Sequence, residues 1–358
     1  MRRPNETPSS MNDLLHNGHG DRVRGFARRT RLASAAGVIS VAVQPTSTTT
    51  STTTSTTPIV SEWDFTLRVG MTQALIDKYG GPAAARAKVD QQVATVNAAY
   101  ATQFAKPIRF LVRDFYVYSQ SADLERNAPH NGADYLLLYS ENEQNDDGGW
   151  TRDNQTVVIR WTPARGGVFG PYGADSLDHE LGHARGAIDM YGLKVSDNPV
   201  NGVGYTPAPG VMTYPYGVTS FDEYSRDIVN AGANAVYGDD HVVQQSLPSS
   251  YSIKVTTSSG AAVRGGTVSL YPVDWFSGTV TNSTTAGGST SAPGVWTAAS
   301  NPFNPDLGFI WWHIQRPLLL VTAASGPLKG SAWLALPDAG TWYFTHPGQP
   351  YQIAITVS

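Results

Sequence analysis

Two histidines four residues apart, with a glutamate directly after the first, stand in the stretch DHELGHARGAIDMYG at positions 178–192. No other segment constrains the fold so tightly. Residues i and i+4 share one face of an α-helix about a turn apart, so His179 and His183 can hold one metal ion together only if this segment is helical. The helix is expected to begin near Asp175 or Ser176, either of which can cap its free N–H groups. It is expected to end at Gly186, a residue suited to the left-handed conformation that closes helices. Two neutral imidazoles at this spacing suit zinc, which takes a third protein ligand and leaves a fourth position open to water in catalytic sites. Gly186 turns the chain back, and three residues later stands Asp189, the candidate third ligand. Glu180 adjoins the first ligand and can act on a water at the open position without being a ligand itself. The alternative reading is a buried polar patch of two packed histidines and a glutamate.

The 358 residues contain no cysteine, which excludes disulfides, Cys-ligated zinc, iron–sulfur clusters and cysteine nucleophiles. Any metal must therefore be held by His, Asp, Glu or backbone oxygen. The chain is long enough for two domains with cores of their own. Its 41% hydrophobic and 15% charged residues exclude global disorder. A net charge of −4 gives no general footprint for nucleic acid, and no nucleic-acid partner is expected.

Residues 1–60 read as an export segment and linker. Arg22, Arg24, Arg28, Arg29 and Arg31 precede the mildly apolar run LASAAGVISVAVQ at 32–44. Thirteen residues are too few to span a bilayer, so no membrane span is expected there. Basic, then apolar, then small residues is the order of a signal peptide, with Ser40-Val41-Ala42 suited to cleavage. A disordered basic tail is the alternative, and Sec and twin-arginine export are not distinguished. Twelve consecutive Thr and Ser residues at 46–57 form a spacer with no apolar area to bury, a candidate for O-glycosylation. Together these predict a secreted or cell-surface protein.

An α+β architecture is expected from there on. In a first domain, 61–245, EWDFTLRVGMT (62–72) alternates like a strand, and Val89, Val93, Val96 and Tyr100 recur at helical spacing after Gly81-Pro82. PIRFLVRDFYVYS (107–119), DYLLLYS (134–140) and QTVVIRW (155–161) read as strands, the last as the sheet edge beside a cleft. The acidic loop 141–154 offers oxygen donors for a structural calcium ion but matches no defined calcium loop, and a solvated turn is its alternative reading. In a second domain, 246–358, YSIKVTT, GTVSLYP, GFIWWHI, PLLLVTAA, SAWLALP, TWYFTH and YQIAITVS are short β-rich runs divided by turn residues, which predicts an antiparallel β-sandwich. Trp311-Trp312 could serve a glycan or surface partner, although alternation would turn one ring inward. His313 and His346 are isolated and read as packing residues.

The spacing His-Glu-x-x-His-x-x-Gly-x-x-Asp, followed by GVMTYPYG at 210–217, resembles the metzincin-type zinc metallopeptidases, whose extended motif precedes a tight turn with a methionine beneath the metal. Most of that group place His where this chain has Asp189. The snapalysin-type peptidases are similar in using Asp, and the IgA-peptidase-like metallopeptidases also pair the motif with a following Asp and Tyr, as in Asp189-Met190-Tyr191. The resemblance covers roughly residues 61–240 and is specific across 179–217.

The resemblance implies a zinc-dependent endopeptidase acting on protein or peptide substrates. Glu180 would be the general base, Met212 an apolar floor under the ligands, and Tyr214 a second group approaching the transition state; an ordinary turn tyrosine is the alternative for Tyr214. Two other functions fit the same residues: a surface adhesin or glycan-binding protein with a non-catalytic metzincin-like domain, and a zinc hydrolase of a non-peptide amide or ester.

Overall fold

The computed structural model describes residues 62–118, 128–140, 148–152, 155–160, 166–213, 217–232, 243, 245–274, 277–303, 309–310, 313–314 and 317–358. The segment read as an export signal and the Thr/Ser spacer, most of the acidic loop, Tyr214 and Trp311-Trp312 lie outside the described residues. The protein is a mixed α+β structure.

The first region is built on a five-stranded sheet of β1 (Asp64–Thr72), β2 (Arg109–Tyr118), β3 (Tyr135–Tyr139), β4 (Gly149–Arg152) and β5 (Thr156–Ile159), in the order β2-β1-β3-β5-β4. The first four neighbours pair in parallel, and β4 closes the row antiparallel to β5. Strand β1 is buried along nearly its whole length, as an internal strand covered on both faces should be. On one face Phe65, Leu67, Val69 and Met71 pack with Tyr135, Leu137, Tyr139, Val157 and Ile159. The long helix α2 (Pro82–Gln103) covers them with Val89, Val93, Val96 and Tyr100; the short α1 (Gln73–Lys78) precedes it. On the other face Leu136, Leu138, Val158 and Tyr118 form a smaller cluster, against which Trp150 packs.

The edge strand differs from expectation. The segment 155–161 was expected to line the cleft, but its strand β5 is internal, and the edge is β4, drawn from the stretch read as an acidic loop. Four residues beginning with a glycine carry too short a pattern for alternation to register.

Helix α3 (Pro171–Ala184) carries the motif and packs beside β4 and β5, and α4 (Glu223–Ala231) follows the methionine turn. Asp222 caps α4 by accepting from the Ser225 N–H at 2.9 Å.

The C-terminal region contains a three-stranded sheet of β6 (Tyr251–Thr257), β10 (Val295–Thr297) and β15 (Tyr351–Val357), ordered β10-β6-β15. A second sheet runs β14-β13-β7-β8, from β7 (Thr267–Asp274), β8 (Thr279–Val280), β13 (Leu318–Ser325) and β14 (Leu328–Ala335), with β9 (Ala286–Ser289) also on β7. The pair β11 (Phe309–Ile310) and β12 (His313–Ile314) completes the strands.

Two expectations fail here. Strand β15 runs parallel to β6, not antiparallel. TWYFTH, expected as a strand, is the end of a helix, α5 (Leu336–Thr345), with Pro337 in its first turn. Leu336, Ala339 and Gly340 of α5 are buried where it meets α4, and a Cβ built on Gly340 would lie 2.0 Å from the Tyr224 ring. This close helix–helix contact overrides the strand propensity of Thr, Trp, Tyr and Phe.

The regions on either side of residue 245 share one buried hydrophobic cluster. Contacts across it include the Trp333 indole N–H donating to the Gly204 carbonyl at 3.1 Å and the Asn201 amide donating to the Ser331 hydroxyl at 2.9 Å. Among the described residues, no helix is long and apolar enough to cross a membrane.

Candidate metal centre

Helix α3 begins earlier than Asp175 or Ser176. Its N-cap is Gly170, with Pro171 in the first turn, where a missing N–H costs nothing and the fixed φ favours the helix. Asp175 instead accepts a hydrogen bond from the Gly217 N–H at 2.7 Å, tying the helix to the end of the methionine turn. The C-terminus is as expected. Gly186 has φ +94°, its N–H donates to the His183 carbonyl at 2.8 Å, and the Ala187 N–H donates to the Gly182 carbonyl at 3.0 Å. These two bonds are the Schellman closure, which satisfies carbonyls the helix leaves orphaned.

Ser176 through Ala184 are all buried, with His179, Glu180 and His183 keeping 6–7% exposure. The His179 and His183 rings stand nearly perpendicular, with their Nε2 atoms 3.1 Å apart. Asp189 Oδ1 lies 3.2 Å from each Nε2. Each Nδ1 sits 2.9 Å from a backbone carbonyl, of Val211 for His179 and of Ala187 for His183. A carbonyl only accepts, so both Nδ1 atoms carry hydrogen and both Nε2 lone pairs turn toward Asp189.

Three electron-rich atoms converging in a buried space repel one another unless a cation lies between them. A tetrahedral ion with ligands at ~2.0–2.1 Å would space its donors about 3.3 Å apart, close to the separations observed. The three side chains thus fit a zinc-like ion, and the paired Nδ1 atoms are the supports such ligands need. Burial alone would raise the Asp189 carboxyl; positive charge facing it, on protonated His183 and His179 imidazoles or on a bound cation, holds it well below the usual carboxylate range.

Met212 is fully buried in the turn after the motif. Its carbonyl accepts from the Met190 N–H at 2.8 Å, so the turn and the segment beside Asp189 are fixed to each other. A Cβ at Gly182 would lie 2.9 Å from the Met212 sulfur and 2.9 Å from the Phe221 ring. The glycine between the two histidines therefore lets the methionine turn approach the helix. Reading the motif as ligand spacing alone overlooked it.

Arg185 was also missed. Fully buried at the end of α3, it donates to the Tyr135 hydroxyl at 2.7 Å and to the Gly232 carbonyl at 2.9 Å, with its guanidinium 4.2 Å from the centre of the Phe65 ring. It anchors the helix terminus to the sheet and to the end of α4. Asp178, beside His179, is buried, with one carboxylate oxygen lacking a hydrogen-bond partner. Burial, and then the charge of Asp175, push its carboxyl well above the ordinary range.

Glu180, on α3, is buried against β4. The Thr151 hydroxyl lies 2.7 Å from both the Glu180 backbone carbonyl and its carboxylate Oε2. A Cβ on Gly149 would meet Oε1 of the same carboxylate at 3.0 Å. Of the predicted site residues, His179, His183 and Asp189 converge, Glu180 stands on the same helix facing the edge strand, and Tyr214 lies outside the described residues. No protein-family model matches the chain, and no curated protein matches it either.

Proposed function

We propose that this protein is an exported, zinc-dependent endopeptidase of metzincin type, with the C-terminal region serving as an accessory β-sandwich. The observation that carries the reading is the convergence of His179, His183 and Asp189 next to a glutamate that is held against an edge strand. A zinc ion at these ligands would supply Lewis-acid activation of water and of a carbonyl. Glu180, as general base, takes the proton from the attacking water and passes it to the departing amine. Among the described residues β4 is the outermost strand of the sheet, and its backbone is where an extended peptide could add as a further strand, which favours a peptide over a compact small molecule. Burial of Met212 and the Nδ1 contacts of both histidines hold the ligands in place before any substrate arrives.

The test is zinc content and casein or gelatin cleavage for the full-length protein, Glu180→Ala and Asp189→Ala. Zinc in the wild type and Glu180→Ala, reduced zinc in Asp189→Ala, and cleavage by the wild type alone are expected. Zinc without cleavage in the wild type would point to a binding protein or a narrow non-peptide hydrolase. A folded wild type that takes up no zinc would end the reading.

A further inference from the structure

The edge strand β4 does more than terminate the sheet. Side chains alternate along a strand, so Gly149 and Thr151 share one face while Trp150 takes the other, where it joins the far-side cluster and lies 5.5 Å from the Arg160 guanidinium. The face shared by Gly149 and Thr151 meets Glu180. Thr151 has a single hydroxyl hydrogen, and both acceptors within its reach belong to Glu180, one on the backbone and one on the carboxylate. Gly149 supplies the room: a methyl there would stand 3.0 Å from Oε1 and 3.2 Å from Cγ of Glu180, and 3.0 Å from the Val158 carbonyl.

We infer that Thr151 is a positioning residue for Glu180, with Gly149 leaving the space in which the carboxylate is set. A glutamate side chain has three rotatable bonds, and a base works only within hydrogen-bond reach of its proton. A donor at 2.7 Å on Oε2 restricts the rotation of the carboxylate and leaves Oε1 on the Gly149 side. The outermost described strand of the sheet, on which the substrate is proposed to add, therefore also sets the orientation of the base. A shift of β4 would move both together, which ties the position of the base to the seating of the peptide. This inference rests on the reading of Glu180 as the general base.

The experiment compares wild type, Thr151→Val and Thr151→Ser in the full-length protein. Valine keeps the shape and removes the donor; serine keeps the donor and removes the methyl. Thr151→Val is expected to retain zinc and a KM within about twofold of wild type while kcat falls about 10- to 100-fold, the range for groups that orient active-site side chains. Thr151→Ser is expected to recover most of kcat. Wild-type kcat in the valine variant, or a serine variant as slow as the valine one, would overturn the assignment. A second readout is independent of turnover. In metal-free protein, melting temperatures of Thr151→Val, Glu180→Ala and the double variant form a cycle. The double variant should melt above the temperature obtained by adding the two single losses. Strict additivity would refute the contact, whereas non-additivity in a protein that cleaves nothing would keep the contact and reject the peptidase reading.

Discussion

Replacing Gly186 with alanine tests the link between the helix terminus and the ligand set. At φ +94° an L-residue is strained by about 1–2 kcal/mol. Alanine also restricts the unfolded chain, which offsets about 0.4–1 kcal/mol. If the turn stays closed, the net loss is about 1 kcal/mol, a fall in Tm of about 2 °C for a folded region of this size. If the turn opens to relieve the strain, the bonds from Gly186 to His183 and from Ala187 to Gly182 are lost instead, at about 1 kcal/mol each. That second outcome also moves the chain leading to Asp189 and withdraws the Ala187 carbonyl from His183 Nδ1.

The two outcomes separate in a pair of measurements: melting in the presence of a chelator, and zinc affinity by competition with a chromophoric chelator. Strain held in place lowers Tm and leaves zinc affinity nearly unchanged. An opened turn lowers both, with each 1.4 kcal/mol transferred to the site weakening zinc about tenfold. Gly186→Asn should fall between wild type and alanine, because asparagine tolerates the left-handed region. An alanine variant equal to wild type in melting and in zinc binding would refute the reasoning.

Asp178→Asn should change the pH dependence of stability. The folded Asp178 carboxyl is raised by burial, so between its ordinary pKa of about 3.9 and its raised folded value the native state holds a proton that the unfolded state has released. Wild-type stability therefore declines as pH rises through that window, and the asparagine variant lacks this decline. Urea midpoints in chelator should show the variant gaining on wild type between pH 3.5 and pH 7, and parallel profiles would contradict the assignment. Gly340→Ala should destabilise the helix pair. Its methyl would meet the Tyr224 ring, an overpacking cost of about 1–3 kcal/mol against a gain of about 1 kcal/mol for removing glycine from a helix. A lower Tm is expected, and an unchanged or higher one would show that Tyr224 moves aside freely.

The parts of the site legible in the sequence were those whose geometry is local. The spacing of His179 and His183 forces both rings onto one helical face, Gly186 adopts the left-handed turn its residue type favours, and Asp189 returns to the histidines within that turn. The long helix after Pro82 and strands β1, β2 and β3 were legible for the same reason, since their periodicity is carried by adjacent residues. Thr151 and Gly149 were not. Nothing near position 150 marks a partner for a helical glutamate 29 residues later, and the contact exists only because β4 pairs with β5 at the sheet edge. The parallel pairing of β15 with β6 and the helical state of TWYFTH are of the same kind. Strand direction is fixed by where the chain returns, and an aromatic-rich segment takes the state its neighbours can bury. Short-range spacing marks the candidate ligands and the helix that presents them, because backbone conformation and spacing are properties of neighbouring residues. What holds Glu180, which described strand lies outermost and how the C-terminal region joins the core emerge only in the folded chain, because they depend on contacts between segments far apart in sequence.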